Sequence, residues 1–290
     1  MTGVDVGSRG RLRAATVEEI KRTARRLLIE EGLQSVTLRA IARRMGVTAP
    51  GLYRYFPSYE DLVSALVCDI YDELADALQS ERWTDPGAAP VQRLLRMSRC
   101  FRLWAVEHPC EFALAFSTPL SGPLGGLGQS SVRPCGPAFP ERAQTRSTKA
   151  SGTLPGRTLP PTRTGGQRFG RVFAEAFKDL WDHQPFEVPE DADLPTDLLD
   201  QLARYRQLMV EEDQRVSDSG ARSLVAAAEL PLGTLYLFVR AWTALFGVVT
   251  MEVFGHLRFC LDDASSFFEA ELCDIVRMFG TEDPEDPIGS

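Results

Sequence analysis

The sequence of 290 residues predicts an all-α protein with a short N-terminal helix-turn-helix domain and a longer helical domain. Apolar residues recur at three- and four-residue spacing along most of the chain, whereas the alternation typical of strands is absent. Ser and Thr residues also stand where N-terminal helices need caps. We expect a basic flexible arm at 1–13, a helix-turn-helix domain at 14–60 and a helical domain at 61–290.

Four capped helices account for the first 78 residues. Thr16 and Glu19 have the spacing of a capping box, and glycines at 32 and 46 stand where helices end. Acidic residues follow the Ser58 cap and favour the helix dipole. The expected helices run from Thr16 to Glu31, from Thr37 to Gly46, from Thr48 to about Phe56, and from Ser58 to Leu78.

The remaining chain also has helical periodicity, with one interruption. In 117–168, 30 of 52 residues are Gly, Pro, Ser or Thr, so this segment is expected to be a disordered insertion. The simplest interpretation is an inert linker. The alternatives are that its basic residues attract DNA nonspecifically, or that its Pro-rich stretches recruit a partner. Helices are expected at 90–107, at 111–116, from 169 onward, at 195–216, at 219–229, at 232–257 and at 262–279.

The charge is unevenly distributed. The whole chain carries a formal charge of −8, but residues 1–60 contain 11 Lys and Arg against 6 Asp and Glu. A basic region on an acidic body is the electrostatic pattern expected of a nucleic-acid contact confined to one domain.

Several classes of function are disfavoured by composition. The six cysteines form no C-x-x-C pair and no leader opens the chain, so we expect a cytoplasmic protein without disulfides. The longest apolar stretch, 230–255, is interrupted by Arg240 and Glu252, which favours a buried helix over a membrane span. Three scattered histidines give no metal or catalytic constellation. We therefore predict no cofactor, no metal, no membrane partner and no enzyme activity.

Residues 37–56 have the spacing of a helix-turn-helix. Ala42 is small where two helices would cross, Gly46 allows the turn, and Leu52 would anchor the second helix together with Val47 and Phe56. Pro50 is tolerated because a helix cannot use its N–H in the first turn. The outward residues are then Thr48, Ala49, Pro50, Gly51, Tyr53 and Arg54.

The residues G-V-T-A-P-G-L-Y-R-Y-F-P-S-Y-E-D-L at 46–62 resemble the signature of the TetR family of bacterial regulators, and the likeness extends over about 14–66. The resemblance implies a homodimer that places two recognition helices in successive major grooves. It assigns phosphate contacts to Thr37 and Tyr53, and backbone or base contacts to Arg39 and Arg44. Thr48, Ala49, Pro50 and Gly51 would line the groove.

Two positions depart from the family pattern. Tyr55 stands where the family often has His, and Tyr59 where it usually has a phosphate-binding Lys. The second change removes one charge per subunit, although a tyrosine hydroxyl can still donate to phosphate.

Basic residues also precede and follow the start of helix 1. Arg9, Arg11 and Arg13 suit insertion into a minor groove or attraction to phosphate, and a solvated terminus is the alternative. On helix 1, Arg22, Arg25 and Arg26 are interpreted as solubilising charges.

A second resemblance covers residues 240–257, which are similar to the Trp-His-Gly type of TetR C-terminal domain, with Phe246 in place of the His. The resemblance implies that the last two long helices form a four-helix bundle with those of a second copy, and internal core is the alternative. The candidate dimer contacts are Trp242, Phe246, Gly247, Phe267, Phe268 and Ile275.

Aromatic residues suggest an apolar ligand cavity, although ordinary core explains each of them as well. The candidate ligand contacts are Phe101, Trp104, Phe112, Phe116, Phe173, Phe177 and Trp181.

Together these features favour a ligand-responsive homodimeric repressor that binds a double-stranded DNA operator and is released by a small apolar effector. Helix 4 is the candidate transmitter. The alternatives are an activator, an effector-independent regulator of the same family, or a helical small-molecule-binding protein without DNA binding.

Overall fold

The computed structural model describes residues 5–116, 161–218 and 230–280, and every long element in these ranges is a helix. No strand occurs among the described residues, as the sequence predicts. The helices are α1 Asp5–Glu31, α2 Leu38–Met45, α3 Ala49–Leu52, α4 Tyr59–Trp83, α5 Pro90–Glu107, α6 Pro109–Phe116, α7 Pro161–His183, α8 Thr196–Asp218, α9 Leu232–Val253 and α10 Ser265–Arg277.

Helix α1 begins eleven residues earlier than the Thr16 start that we expected, so most of the arm expected to be flexible is helical. Thr16 does not cap the helix, because its hydroxyl donates to the Leu12 carbonyl at 2.9 Å within the helix. The residues before Thr16 contain no proline, and their Arg, Leu and Ala are good helix formers.

Local capping places α2 and α4 where expected. The Thr37 side chain accepts a hydrogen bond from the Ala40 N–H, and Ser58 forms a capping box with Asp61. Helix α3 is shorter than expected and ends at Leu52, whereas α4 continues five residues beyond Leu78.

The chain after the insertion differs from expectation at its boundaries. Helix α7 begins at Pro161, so the last eight residues of the segment expected to be disordered are helical. The rest of that segment, 117–160, and the helix expected at 219–229 lie outside the described residues. Helices α9 and α10 are each a few residues shorter than expected.

One continuous apolar core extends from α1 to α10, and α4 makes its most extensive contacts with α7. A buried charge cluster joins these two helices, because Arg82 of α4 donates to Glu175 at 2.6 Å and to Asp179 at 2.7 Å. Both Arg82 and Glu175 are buried, and Arg171 gives Glu175 a second cationic partner. Helix α4 is therefore joined to α7 by apolar packing and by a buried charge cluster, whose loss would leave a charge without its partner.

Within the described ranges, α9 alone has the length and apolar composition that a membrane-spanning helix would need. About 44% of its most apolar window is buried inside the protein, and a core helix passes the same test.

Candidate DNA-binding surface and ligand domain

The turn between α2 and α3 is built around Gly46. Its φ of 69° lies in the left-handed region, which favours glycine, and the Val47 N–H donates to the Ala42 carbonyl at 2.9 Å. Leu52 and Phe56 are buried and anchor α3, as expected. Val47 does not join them, because 46% of its surface is exposed. It therefore belongs to the outer surface of the turn.

The residues expected to face DNA surround the outer edge of α2 and α3. The Thr37 hydroxyl accepts from the Ala40 N–H at 3.1 Å, so its own proton can still be donated. Thr48 precedes α3 but makes no capping hydrogen bond, contrary to expectation. The exposed or half-buried side chains and glycine here are Thr37, Arg39, Thr48, Ala49, Pro50, Gly51 and Tyr53.

Arg44 is not placed with this group. Its guanidinium forms ion pairs with Glu30 and Glu31 at the end of α1, and the hydrogen bond to Glu30 raises the pKa of Arg44. Arg43 is a candidate that sequence reasoning missed. It is exposed four residues after Arg39 on α2 and has no acidic partner among the described residues, and this i, i+4 spacing could have indicated it.

Tyr55 and Tyr59 are less accessible than Tyr53, 52% of whose surface is exposed. Tyr55 is half-buried against the core, with the Arg13 guanidinium carbon 5.5 Å from its ring centroid. Tyr59 lies in the first turn of α4, where burial, aided by the charge of Glu60, raises the pKa of its phenol. Tyr59 therefore stays neutral and remains a hydrogen-bond donor.

Ion pairs connect α1 to the helices of the C-terminal domain. Arg25 donates to Glu73 of α4 at 2.6 Å and to Glu111 of α6 at 3.3 Å, and Glu111 is buried. Lys21, one turn earlier, pairs with Asp69 of α4 at 2.7 Å. Arg25 therefore links α1 to α4 and α6, and its interpretation as a solubilising charge was wrong.

Four of the expected ligand residues meet in one aromatic cluster. The rings of Phe112 and Phe116 stack at a centroid distance of 4.7 Å, and Phe101 and Phe173 meet edge to face at 6.1 Å. The sequence interpretation missed five further members, namely Tyr71, Phe169, Trp242, Phe246 and Phe254. The aromatic spacing of 169 and 173 at the start of a periodic helix could have indicated Phe169.

The other three expected ligand residues lie elsewhere. Trp104 stacks on His108, and Phe177 and Trp181 both contact the ring of Phe186. A cavity of about 30 Å³ lies among α5, α7, α9 and α10 beside Phe177. This volume holds about one or two water molecules. Phe173 and Trp242 of the aromatic cluster also line this cavity. Among the described residues, rings fill the rest of the cluster, so a larger molecule would have to displace side chains.

The expected dimer contacts divide between the surface and the interior. Two lie at the surface of the subunit: Gly247 and Phe267. Four pack inside it: Trp242, Phe246, Phe268 and Ile275. The outward face of α9 instead carries a row of uncharged residues, Thr243, Gly247 and Met251, which Phe254 continues directly after the helix. We call these four residues the α9 stripe.

Two family models match the chain. Residues 13–66 match the tetR family of bacterial regulatory proteins, and residues 138–275 match the tetracyclin repressor-like C-terminal domain. The chain belongs to the TetR family, whose members are transcriptional regulators and not enzymes. The resemblance at 240–257 falls within the second matched range.

The chain is similar to named regulators over part of its length. It is 32% identical to the HTH-type transcriptional regulator Rv1816 of Mycobacterium tuberculosis over 117 residues, which is 40% of this chain and 50% of that protein. It is 30% identical to the uncharacterized HTH-type transcriptional regulator Rv0681 of the same organism over 105 residues, 36% of this chain and 47% of that protein. The chain thus spans about half the length of these curated relatives.

A solved structure supports the fold over nearly the whole chain. The crystal structure of the regulatory protein SCO4313 superposes with a TM-score of 0.55 at 24% identity, covering 92% of this chain and 98% of that one. At this level of identity, the likeness supports the all-α architecture alone.

Proposed function

We propose that this regulator is a cytoplasmic homodimeric repressor, which binds a DNA operator and is released from it by a small apolar effector. The helix-turn-helix carries the proposal. Its outer edge presents Arg39, Arg43 and Tyr53 to solvent, and no acidic side chain among the described residues pairs with either arginine. Cationic side chains without acidic partners, placed beside a recognition helix, can bind the phosphates that flank the major groove.

Homodimer formation is supported by the α9 stripe. Its members recur every three or four residues, so they share one face, and an alanine Cβ at Gly247 would meet no atom within 4 Å. Phe267 of α10 is also exposed. An apolar face on the two last helices is suited to an isologous contact with a second copy, in which each stripe packs against its counterpart.

The effector is proposed to bind by displacing rings of the aromatic cluster. Phe112 and Phe116 lie on the same short helix as Glu111, which pairs with Arg25 of α1. The Tyr71 hydroxyl also donates to the Ala115 carbonyl at 2.9 Å, so α6 contacts α4 as well. A ligand that moves α6 would therefore act on both α1 and α4, the helices that pack against the helix-turn-helix. The sequence interpretation chose α4 alone as the transmitter.

A salt-dependent DNA titration tests the DNA-binding proposal. Purified protein is titrated with the DNA upstream of its own gene, alongside Tyr53→Ala, Arg39→Ala and Arg44→Ala. We expect a nanomolar Kd and a loss of about tenfold or more for the first two variants. Arg39→Ala should also reduce the salt slope by about 1.8, one phosphate in each subunit.

Arg44→Ala is the matched control, because Arg44 is already paired with Glu30 and Glu31. Its effect should be smaller than that of Arg39→Ala. Absence of specific binding by the wild-type protein, both to this region and to a genomic library, would refute the DNA-binding proposal.

The dimer is tested by sedimentation. Met251→Glu would bury a carboxylate against its counterpart, so we expect monomers at micromolar concentration. Leu103→Glu is the control, because Leu103 is an exposed apolar residue on α5 and outside the stripe. Equal dimer content in both variants would place the interface elsewhere.

A further inference from the structure

The first turns of α1 form a basic surface that the helix-turn-helix motif does not include. Between Val6 and Val17 the sequence contains three arginines and no acidic residue. The side chains of Arg11 and Arg13 are exposed, and neither has an acidic partner in the described part of the chain. We call Gly10–Arg13 the basic extension.

The basic extension is attached to the end of the recognition helix. Arg13 Nη2 donates to the Arg54 carbonyl at 3.3 Å, and its guanidinium carbon lies 5.5 Å from the centroid of the Tyr55 ring. Arg54 directly follows the exposed Tyr53, and adjacent Cα atoms are about 3.8 Å apart. The guanidinium of Arg13 therefore lies beside the proposed phosphate-contacting edge.

The helical conformation limits how this surface can meet DNA. A helix with its side chains is about 10–12 Å across, whereas the minor groove of B-DNA is about 6 Å wide. Residues 10–13 therefore cannot enter a minor groove as the flexible arm considered from sequence could. The major groove would admit a helix, but α2 and α3 occupy it under the proposed function. The sugar–phosphate backbone beside the groove is therefore the surface that the first turns of α1 can contact.

The geometry points to a second DNA contact: we propose that the basic extension binds backbone phosphates of double-stranded DNA flanking the major-groove site, through Arg11 and Arg13. The contact rests on the proposed DNA-binding function and enlarges its surface. The Tyr55 ring and the Arg54 carbonyl orient Arg13, and its remaining N–H groups have no acceptor among the described residues. A guanidinium with unused donors suits bidentate phosphate binding.

The test compares single charge removals along the same helix. Arg11→Gln and Arg13→Gln are titrated with operator DNA at several salt concentrations, beside Arg26→Gln. Arg26 is exposed on the same helix, about 20 Å along its axis from Arg13, and makes no ion pair with a described residue. Each of the first two variants should lower affinity about tenfold and reduce the salt slope by about 1.8, because two phosphate contacts are lost per dimer. Arg26→Gln should do neither.

Two further measurements separate phosphate binding from a structural role. The loss should be equal for the operator and for operators with altered flanking bases, since phosphates carry no sequence information. Arg13→Lys, which keeps the charge, should retain the salt slope.

The possible failures can be told apart. If the wild-type protein binds no operator, the proposed function fails. If it binds but Arg11→Gln and Arg13→Gln keep its salt slope, with or without a change in affinity or thermal stability, the basic extension does not contact phosphate and this inference is overturned.

Discussion

At the scale of single residues, Gly233 lies where α9 begins, against the segment that precedes α8. An alanine Cβ there would lie 2.3 Å from the Pro189 carbonyl oxygen and 3.1 Å from Val188 Cβ. The carbonyl belongs to the backbone and cannot rotate away as a side chain could. The close approach of these two segments therefore requires glycine at this position.

We predict that Gly233→Ala lowers the free energy of unfolding by about 1–3 kcal/mol, because the backbone must shift to admit the Cβ. Urea unfolding followed by circular dichroism measures the change. Gly87→Ala is the control, because Gly87 is exposed and its new Cβ meets only the Asp85 side-chain oxygen, 3.4 Å away. Equal stability of the two variants would show that the Pro189 segment moves without cost.

Single-residue expectations with local causes succeeded in part, because the Thr37 and Ser58 caps are confirmed whereas Thr16 and Thr48 make no capping bond. The Thr37 and Ser58 caps follow from residues within three positions, so the sequence contains what is needed to predict them. Arg44 has the same local surroundings as Arg43, yet only Arg44 reaches the carboxylates at the end of α1. Which of the two arginines is paired with carboxylates depends on the packing of α2 against α1, and the local sequence does not predict it.

At the scale of elements, the contact between α4 and α7 depends on a buried charge. Arg82 and Glu175 have side chains only 4% and 5% exposed, and Asp179 supplies a second carboxylate at the more exposed end. A buried ion pair contributes little net stability, but removing one partner leaves an uncompensated charge. The pair therefore constrains how α4 can slide along α7.

We predict that Arg82→Met destabilises the protein by about 3 kcal/mol, near the lower end for a broken buried pair, because Arg171 still contacts Glu175. Lys178→Gln on α7 is the control, since its partner Asp182 is more than half exposed, and it should cost less than about 1 kcal/mol. Chemical denaturation of both variants supplies the measurement. A cost for Arg82→Met no larger than that of the control would contradict a structural role for the pair.

Two element boundaries were wrong, one for a local reason and one for a distant reason. The Thr16 start of α1 was wrong because a threonine hydroxyl can bond to a carbonyl four residues earlier as readily as it can cap. The start of α7 at Pro161 was missed because glycine and proline content lowers helical propensity, whereas packing of Phe169 and Phe173 on other helices stabilises this one.

At the scale of the whole molecule, α1 and α6 are far apart in the chain and are joined by the ion pair of Arg25 with Glu111. The two residues are 86 positions apart, and Glu111 is buried while Arg25 is partly exposed. No spacing rule predicts such a pair, just as none predicted that Trp242 joins Phe101 and Phe173. The helices themselves were predictable because periodicity is local, whereas their contacts were not.

We predict that Glu111→Gln weakens operator binding about fivefold, at the lower end of allosteric coupling, although Glu111 lies outside the helix-turn-helix. The reason is that α1 loses a fixed orientation relative to α6. Operator Kd values for Arg25→Gln, Glu111→Gln and the double variant form a cycle, in which the effects should not add. Glu73→Gln, which removes the more exposed partner of Arg25, is the control. Unchanged operator affinity in Glu111→Gln would show that this pair does not couple the domains.

Because α1 is one continuous helix, a small rotation at one end moves its other end by a larger distance. Arg25 and Arg13 belong to one unbroken helix and are 12 residues apart, so about 18 Å of rigid rod separates the ion pair with α6 from the guanidinium beside α3. A pivot of about 5° at Arg25 moves Arg13 by roughly 1.6 Å over that length. Such a pivot hardly strains the ion pair, yet it exceeds the range over which a hydrogen bond to phosphate keeps its geometry. Under the proposed ligand response, a small shift of α6 at Arg25 is thus expected to be enough to break the proposed phosphate contact of Arg13.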